Sequence, residues 1–146
     1  MIDRLHKILY SPLGPNHLDT AVSLNNLAAL YDATGRNKDA KSLYIRALEI
    51  YKNQLGPDHL KTALRYDNIA MFFYRLEHYA EAANFGVQAL EIFLEKLGKD
   101  HLDTQTVGNN FITILQKVSE TNQTQQLSDH PLTQTILKSL LSNDSE

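Results

Sequence analysis

The chain has 146 residues, a formal net charge of −3, 42% hydrophobic residues and no cysteine. That length carries a single domain with a core of its own, and missing thiols exclude a disulfide framework, a cysteine nucleophile and a thiolate metal site. The charge lacks the basic patch a nucleic-acid partner requires, and no stretch approaches the roughly 20 apolar residues of a membrane span or shows a signal-peptide pattern.

Residues 1–12 are expected to hold the tail of a helix. Then comes Leu13-Gly14-Pro15-Asn16-His17-Leu18, which returns as Leu55-Gly56-Pro57-Asp58-His59-Leu60 and as Leu97-Gly98-Lys99-Asp100-His101-Leu102, at a constant spacing of 42 residues. A fixed period means stacked units. Within the first unit, Leu24, Leu27, Ala28 and Tyr31 fall at i, i+3, i+4, i+7 and predict one helical stripe. Asn16 is the expected N-cap of that helix and Gly35 its stop. Ala40, Leu43, Tyr44, Ala47, Leu48 and Tyr51 predict a second helix. Gly56 and Pro57 then break the chain, and Asp58 is expected to accept from the amides that open the next helix. The second unit repeats the pattern with Ala70, Ala82 and Ala89, small residues that let helix axes approach. Two departures stand out. Gly86 replaces the bulky Tyr44, predicting either a gap or a close contact, and Glu77 stands where Gly35 stood. A third unit begins but loses its second helix in register. Ser119 to Asp129 reads as a polar loop. Pro131 suits a first helical turn, and Leu132, Ile136, Leu137, Leu140 and Leu141 predict one closing stripe.

Leu24-Asn25-Asn26-Leu27-Ala28-Ala29-Leu30-Tyr31, followed by Ala40 to Ala47 with Leu43 and Tyr44 between, resembles the tetratricopeptide repeat. The 42-residue period resembles its longer form, found in kinesin light chains and many bacterial relatives. The resemblance implies an all-α fold, a right-handed α-α superhelix or solenoid of antiparallel helix pairs, within one domain. Residues 1–12 would be a residual helix B, 13–54 repeat 1 and 55–96 repeat 2. Residues 97–119 would be helix A of a degenerate repeat 3, 120–130 the polar loop and 131–142 a capping helix.

Six histidines raise a metal hypothesis. His17, His59 and His101 occupy the same turn in successive units. Stacked helices sit about 8–10 Å apart, whereas zinc needs every ligand at about 2 Å, so the three cannot share one ion. A hydrogen-bonding role in each turn is expected instead, and His6, His78 and His130 are expected at the surface. No metal, cofactor, nucleophile motif or phosphate loop is expected. Glu91 and Glu95 read as a solvated face rather than an acid–base couple. The chain is expected not to be an enzyme.

Asn25-Asn26, Asp67-Asn68 and Asn109-Asn110 recur at the period on helix A. The tetratricopeptide resemblance places helix A along a concave groove. The candidate partner-binding residues are therefore Asn25, Asn26, Ala29, Asp32, Asp67, Asn68, Met71, Tyr74, Asn109, Asn110, Thr113 and Gln116. An amide offers donor and acceptor together, which suits the backbone of an extended peptide, and Tyr74 and Met71 offer an apolar anchor. The second Asn of each pair could instead bridge neighbouring helices. The matching positions lack the Lys and Arg that clamp acidic peptide tails in some members. The expected function is a cytoplasmic interaction module that binds a peptide segment of a neutral to mildly basic protein partner, with no nucleic acid and no membrane. The alternative is assembly through exposed solenoid ends, as a homo-oligomer or as a fragment of a larger repeat protein.

Overall fold

The computed structural model describes residues 2–143. They form α1 (Ile2–Leu9), α2 (Leu18–Ala33), α3 (Asn37–Leu55), α4 (Leu60–Arg75), α5 (Tyr79–Leu97), α6 (Leu102–Glu120), a short 3-10 turn (Thr124–Gln126) and α7 (Pro131–Asn143), with no strand among the described residues. The 42-residue period is visible in the elements, since α4 and α5 begin 42 residues after α2 and α3. The fold is an all-α helical repeat. Its chain divides into two compact units, the first ending at Arg65 and the second beginning at Tyr66. No helix among the described residues is long and apolar enough to cross a membrane.

In the first unit, α2 and α3 form the helix pair. Leu24, Leu27, Ala28 and Tyr31 from α2 are buried, as are Ala40, Leu43, Tyr44, Ala47, Leu48 and Tyr51 from α3. Burying each large side chain stabilises by about 1.5–3 kcal/mol. Ala28, Ala40 and Ala47 have no exposed surface at all, because a larger residue there would push the helices apart. Cations roof two of the aromatics. The Arg36 guanidinium lies 4.4 Å from the Tyr31 ring centroid and that of Arg65 lies 5.0 Å from Tyr51, a favourable arrangement for a ring face.

The second unit repeats this packing with larger side chains. Ile69, Ala70, Phe72 and Phe73 of α4 are buried with Ala82, Ala83, Val87, Ala89, Leu90 and Phe93 of α5, and with Phe111, Ile114, Leu115 and Val118 of α6. Phe73 stacks on Phe85 at 5.5 Å between centroids. Gly86 is a close contact, not a gap: a Cβ built there would sit 3.2 Å from Phe111 Cδ2 and 3.7 Å from Ala70 Cβ. Glu77 keeps the left-handed conformation of Gly35, with φ 62° against 80°.

The third repeat departs because α6 runs 19 residues where α2 and α4 run 16. The added turn displaces the chain beyond it. In place of a helix B, a strap crosses to α5 and is held by amide side chains. Gln123 accepts from the Ala80 amide and donates to the Glu77 carbonyl, each at 3.2 Å. Asn84 donates to the Gln126 carbonyl at 3.2 Å and accepts from the Ser128 amide at 2.9 Å. Of the apolar stripe on α7 only Leu137 is buried, and Leu141 is 47% exposed.

The recurrent turn phrase has a different logic from the expected one. The N-caps are the histidines, not Asn16 and Asp58. His17, His59 and His101 each accept, through Nδ1, the amide two residues on, at 3.0, 3.0 and 3.1 Å. The imidazole Nδ1 takes the place of an Asn side-chain oxygen, satisfying one orphan donor of the helix start. Gly14 and Gly56 take φ of 87° and 99°, which an L side chain resists. Their carbonyls receive the hydroxyls of Thr20 and Thr62 at 2.6 and 2.8 Å. In the third copy Thr104 donates instead to the Phe93 carbonyl at 3.2 Å.

Candidate partner-binding face

The helix A residues divide between the two units. On α2 of the first unit, Asn25 and Asp32 are half-buried, whereas Asn26 and Ala29 are exposed. Their exposure is set by the stripe itself: Leu24, Leu27, Ala28 and Tyr31 claim the buried side of the helix, leaving these positions to face away.

On α4 of the second unit, Asp67, Asn68, Met71 and Tyr74 are all half-buried. Asp67, Met71 and Tyr74 fall at i, i+4, i+7 and share one helix face, spanning about 10 Å along it. On α6, Asn109, Thr113 and Gln116 are exposed and Asn110 is half-buried. Asp67 and Asn110 are brought together by a side-chain hydrogen bond between the two helices A of this unit. Burial raises the Asp67 pKa above the ordinary carboxylate range, and the Asn110 hydrogen bond partly offsets that rise. A bond that favours the ionised form means the Asn110 amide donates to the carboxylate.

Tyr74 meets Tyr79 edge to face, with centroids 5.4 Å apart. Lys117 lies on α6 with its ammonium 3.2 Å from Glu120. The hydrogen bond and charge of Glu120 raise the Lys117 pKa, with smaller contributions from Tyr79 and Tyr74. Thr113 is less available than its exposure suggests, since its hydroxyl donates to the Asn109 carbonyl one turn back at 3.0 Å. The unit therefore presents a carboxylate, amides, a thioether and a phenol on helices A. These groups can hydrogen-bond a backbone and pack one apolar side chain.

The histidines form no metal site. No group of three or more His, Cys, Asp or Glu residues among the described residues is placed to hold an ion. His130, expected simply at the surface, is a fourth capping histidine. Its Nδ1 accepts from the Leu132 amide at 3.2 Å, and its Nε2 lies 3.0 Å from Glu91 Oε2. Accepting at Nδ1 puts the proton on Nε2, which donates to that carboxylate. The signal was present, because His130-Pro131-Leu132-Thr133 keeps the His and Thr spacing of His59-Leu60-Lys61-Thr62. Glu91 and Glu95 line an open cleft between α5 and α7 with Leu94, His130, Pro131, Leu132 and Thr135, away from the helix A residues.

Comparison with known proteins gives the family. The tetratricopeptide repeat model matches residues 6–53 and 19–95, and the second match alone covers more than half of the chain. No curated protein matched significantly. Among solved structures, the crystal structure of BtubC (BKLC) from P. vanneervenii superposes with a TM-score of 0.59 at 20% sequence identity. The alignment covers 97% of this chain and 62% of that one, so the chain spans less than two thirds of its length. At this identity the likeness speaks for the fold. Tetratricopeptide repeats mediate protein–protein interaction, typically as non-enzymatic scaffold modules. From its period, its helix pairs and these matches, the chain belongs to the tetratricopeptide repeat family.

Proposed function

We propose that the helix A face of the second unit binds an extended peptide segment of a protein partner. The observation that carries this is the Asp67–Asn110 hydrogen bond, which sets acceptors and donors from two helices side by side. Asn68 and Asn109 flank the pair and engage the peptide backbone. Met71 and Tyr74 hold one apolar side chain. Asn25, Asn26, Ala29 and Asp32 make the equivalent face of the first unit, and Thr113 and Gln116 extend that of the second. The partner is neutral to mildly basic, in keeping with the carboxylate on this face and with a net charge of −3. Recognition is an equilibrium, with affinity set by how rigidly the amides are held before the peptide arrives.

Random peptides displayed on phage, selected against the wild type and against a Tyr74→Ala/Asn109→Ala variant of equal melting temperature, test this reading. The expected result is a set of binders that the wild type holds and the variant loses. Binders held equally by both would place recognition on another surface.

A further inference from the structure

Asp67 differs from the other acidic side chains near this face. Lys117 and Glu120 neutralise each other at 3.2 Å, and Asp103 at the start of α6 is exposed to water. Asp67 has one neutral partner, Asn110, and no cation pairs with it among the described residues. An Asn amide can donate to one carboxylate oxygen while the other oxygen retains acceptor capacity. The surroundings are also selective. Met71 comes one helical turn further along α4 and Tyr74 nearly another, so a long aliphatic stem lying along them meets apolar surface before its head reaches the carboxylate. That geometry suits a side chain with an apolar stem and a charged tip.

We infer that the peptide recognised by this face carries a lysine or arginine whose head pairs with Asp67 while its stem lies on Met71 and Tyr74. This rests on the peptide-binding reading above and adds the chemical class of the central residue. Two further points support it. The raised pKa of Asp67 means its charge is poorly solvated in the free protein, and an incoming cation restores what burial removed. The Asn110 hydrogen bond holds the carboxylate in place, so little ordering remains when the partner docks. Asn110 is thereby a positioning residue for Asp67.

The test uses the wild-type chain and a random peptide library acetylated and amidated at its ends, so that no terminus competes as the cation. The expected result is enrichment of Lys or Arg at one position. A selected peptide resynthesised with norleucine at that position, which keeps the stem and removes the charge, should bind the wild type about tenfold or more weakly. Asp67→Asn keeps an acceptor for Asn110, and on this variant the lysine and norleucine peptides should bind alike. Equal binding of the two peptides by the wild type overturns the inference and leaves the peptide-binding reading standing. A lysine preference that survives in Asp67→Asn also overturns it, by assigning the cation to another carboxylate. Failure of the wild type to retain any peptide better than Tyr74→Ala/Asn109→Ala removes the peptide-binding reading, and the inference with it.

Discussion

The Thr62 hydroxyl reaches back six residues to the Gly56 carbonyl at 2.8 Å, and Thr62 has no exposed surface. The bond ties the first turn of α4 to the glycine that precedes it. Thr133 holds the matching place after His130 and is also fully buried, yet its hydroxyl has no partner. No glycine stands three residues before His130, where Leu127 is extended. Opposite effects of one substitution are expected. Thr62→Val removes a buried hydrogen bond and leaves the Gly56 carbonyl only the long 3.5 Å bond from the His59 amide, costing about 1–3 kcal/mol. Thr133→Val removes an unsatisfied hydroxyl and should be neutral or stabilising by up to about 1 kcal/mol. Urea denaturation of the two variants checks this, and equal losses would contradict it.

The capping histidines make a second prediction. His59→Ala should lose about 1 kcal/mol, the usual worth of an N-cap. His59→Asn should be at least as stable as wild type, because the asparagine oxygen accepts from the same Lys61 amide. Thermal melts of the pair decide it. An asparagine variant as unstable as the alanine variant would show that the imidazole packs rather than caps.

Gly86 and Phe111 occupy one space. Gly86→Tyr restores the residue found 42 positions earlier, and should destabilise by about 1–3 kcal/mol or more through overpacking against Phe111. Gly86→Tyr with Phe111→Ala should recover part of the loss of the two single changes, a coupling of about 0.5–3 kcal/mol measurable in a double-mutant cycle. Strict additivity would mean the contact carries no strain.

Asp67 gives a pH dependence of known sign. Its folded-state pKa is raised, so the folded chain holds this proton more tightly than the unfolded chain. Its contribution to stability is present below the unfolded-state carboxylate value and is lost as pH rises through the raised folded value. Asp67→Asn has no charge to desolvate. The variant should match wild type in acid and become the more stable of the two as pH approaches neutrality, in melts of both proteins across that window. A wild type that gains on the variant with rising pH would contradict the burial argument.

Much of this fold was legible because repetition makes weak local signals agree. The stripes at Leu24 to Tyr31 and Ala40 to Tyr51 announced their helices, and the glycine spacing announced the period. What escaped was decided by geometry that residue preference does not encode. Asn16 and Asp58 outrank histidine as caps in general preference, yet the helices begin one residue later and the imidazoles accept instead. The recurring threonine lies just past the turn phrase, and its partner became visible only with the turn. Whether Gly86 meant a gap or a contact depended on Phe111, remote in sequence. On the candidate face, the amide and carboxylate types were readable at each position. The pairing of Asp67 with Asn110 was not, because it depends on how two helices A align.

Helices A of the second unit are the proposed seat of the peptide. Side-chain amide and methyl NMR shifts of the wild type, tracked while a phage-selected peptide is titrated in, test it most directly. The largest changes are expected at the amides of Asn68, Asn109 and Asn110 and at the Met71 methyl, with the Asn84 amide unmoved under the strap. Changes confined to Asn84, Leu94 and Leu132, with the Asn110 amide still, would contradict it and move the site to the α5–α7 cleft.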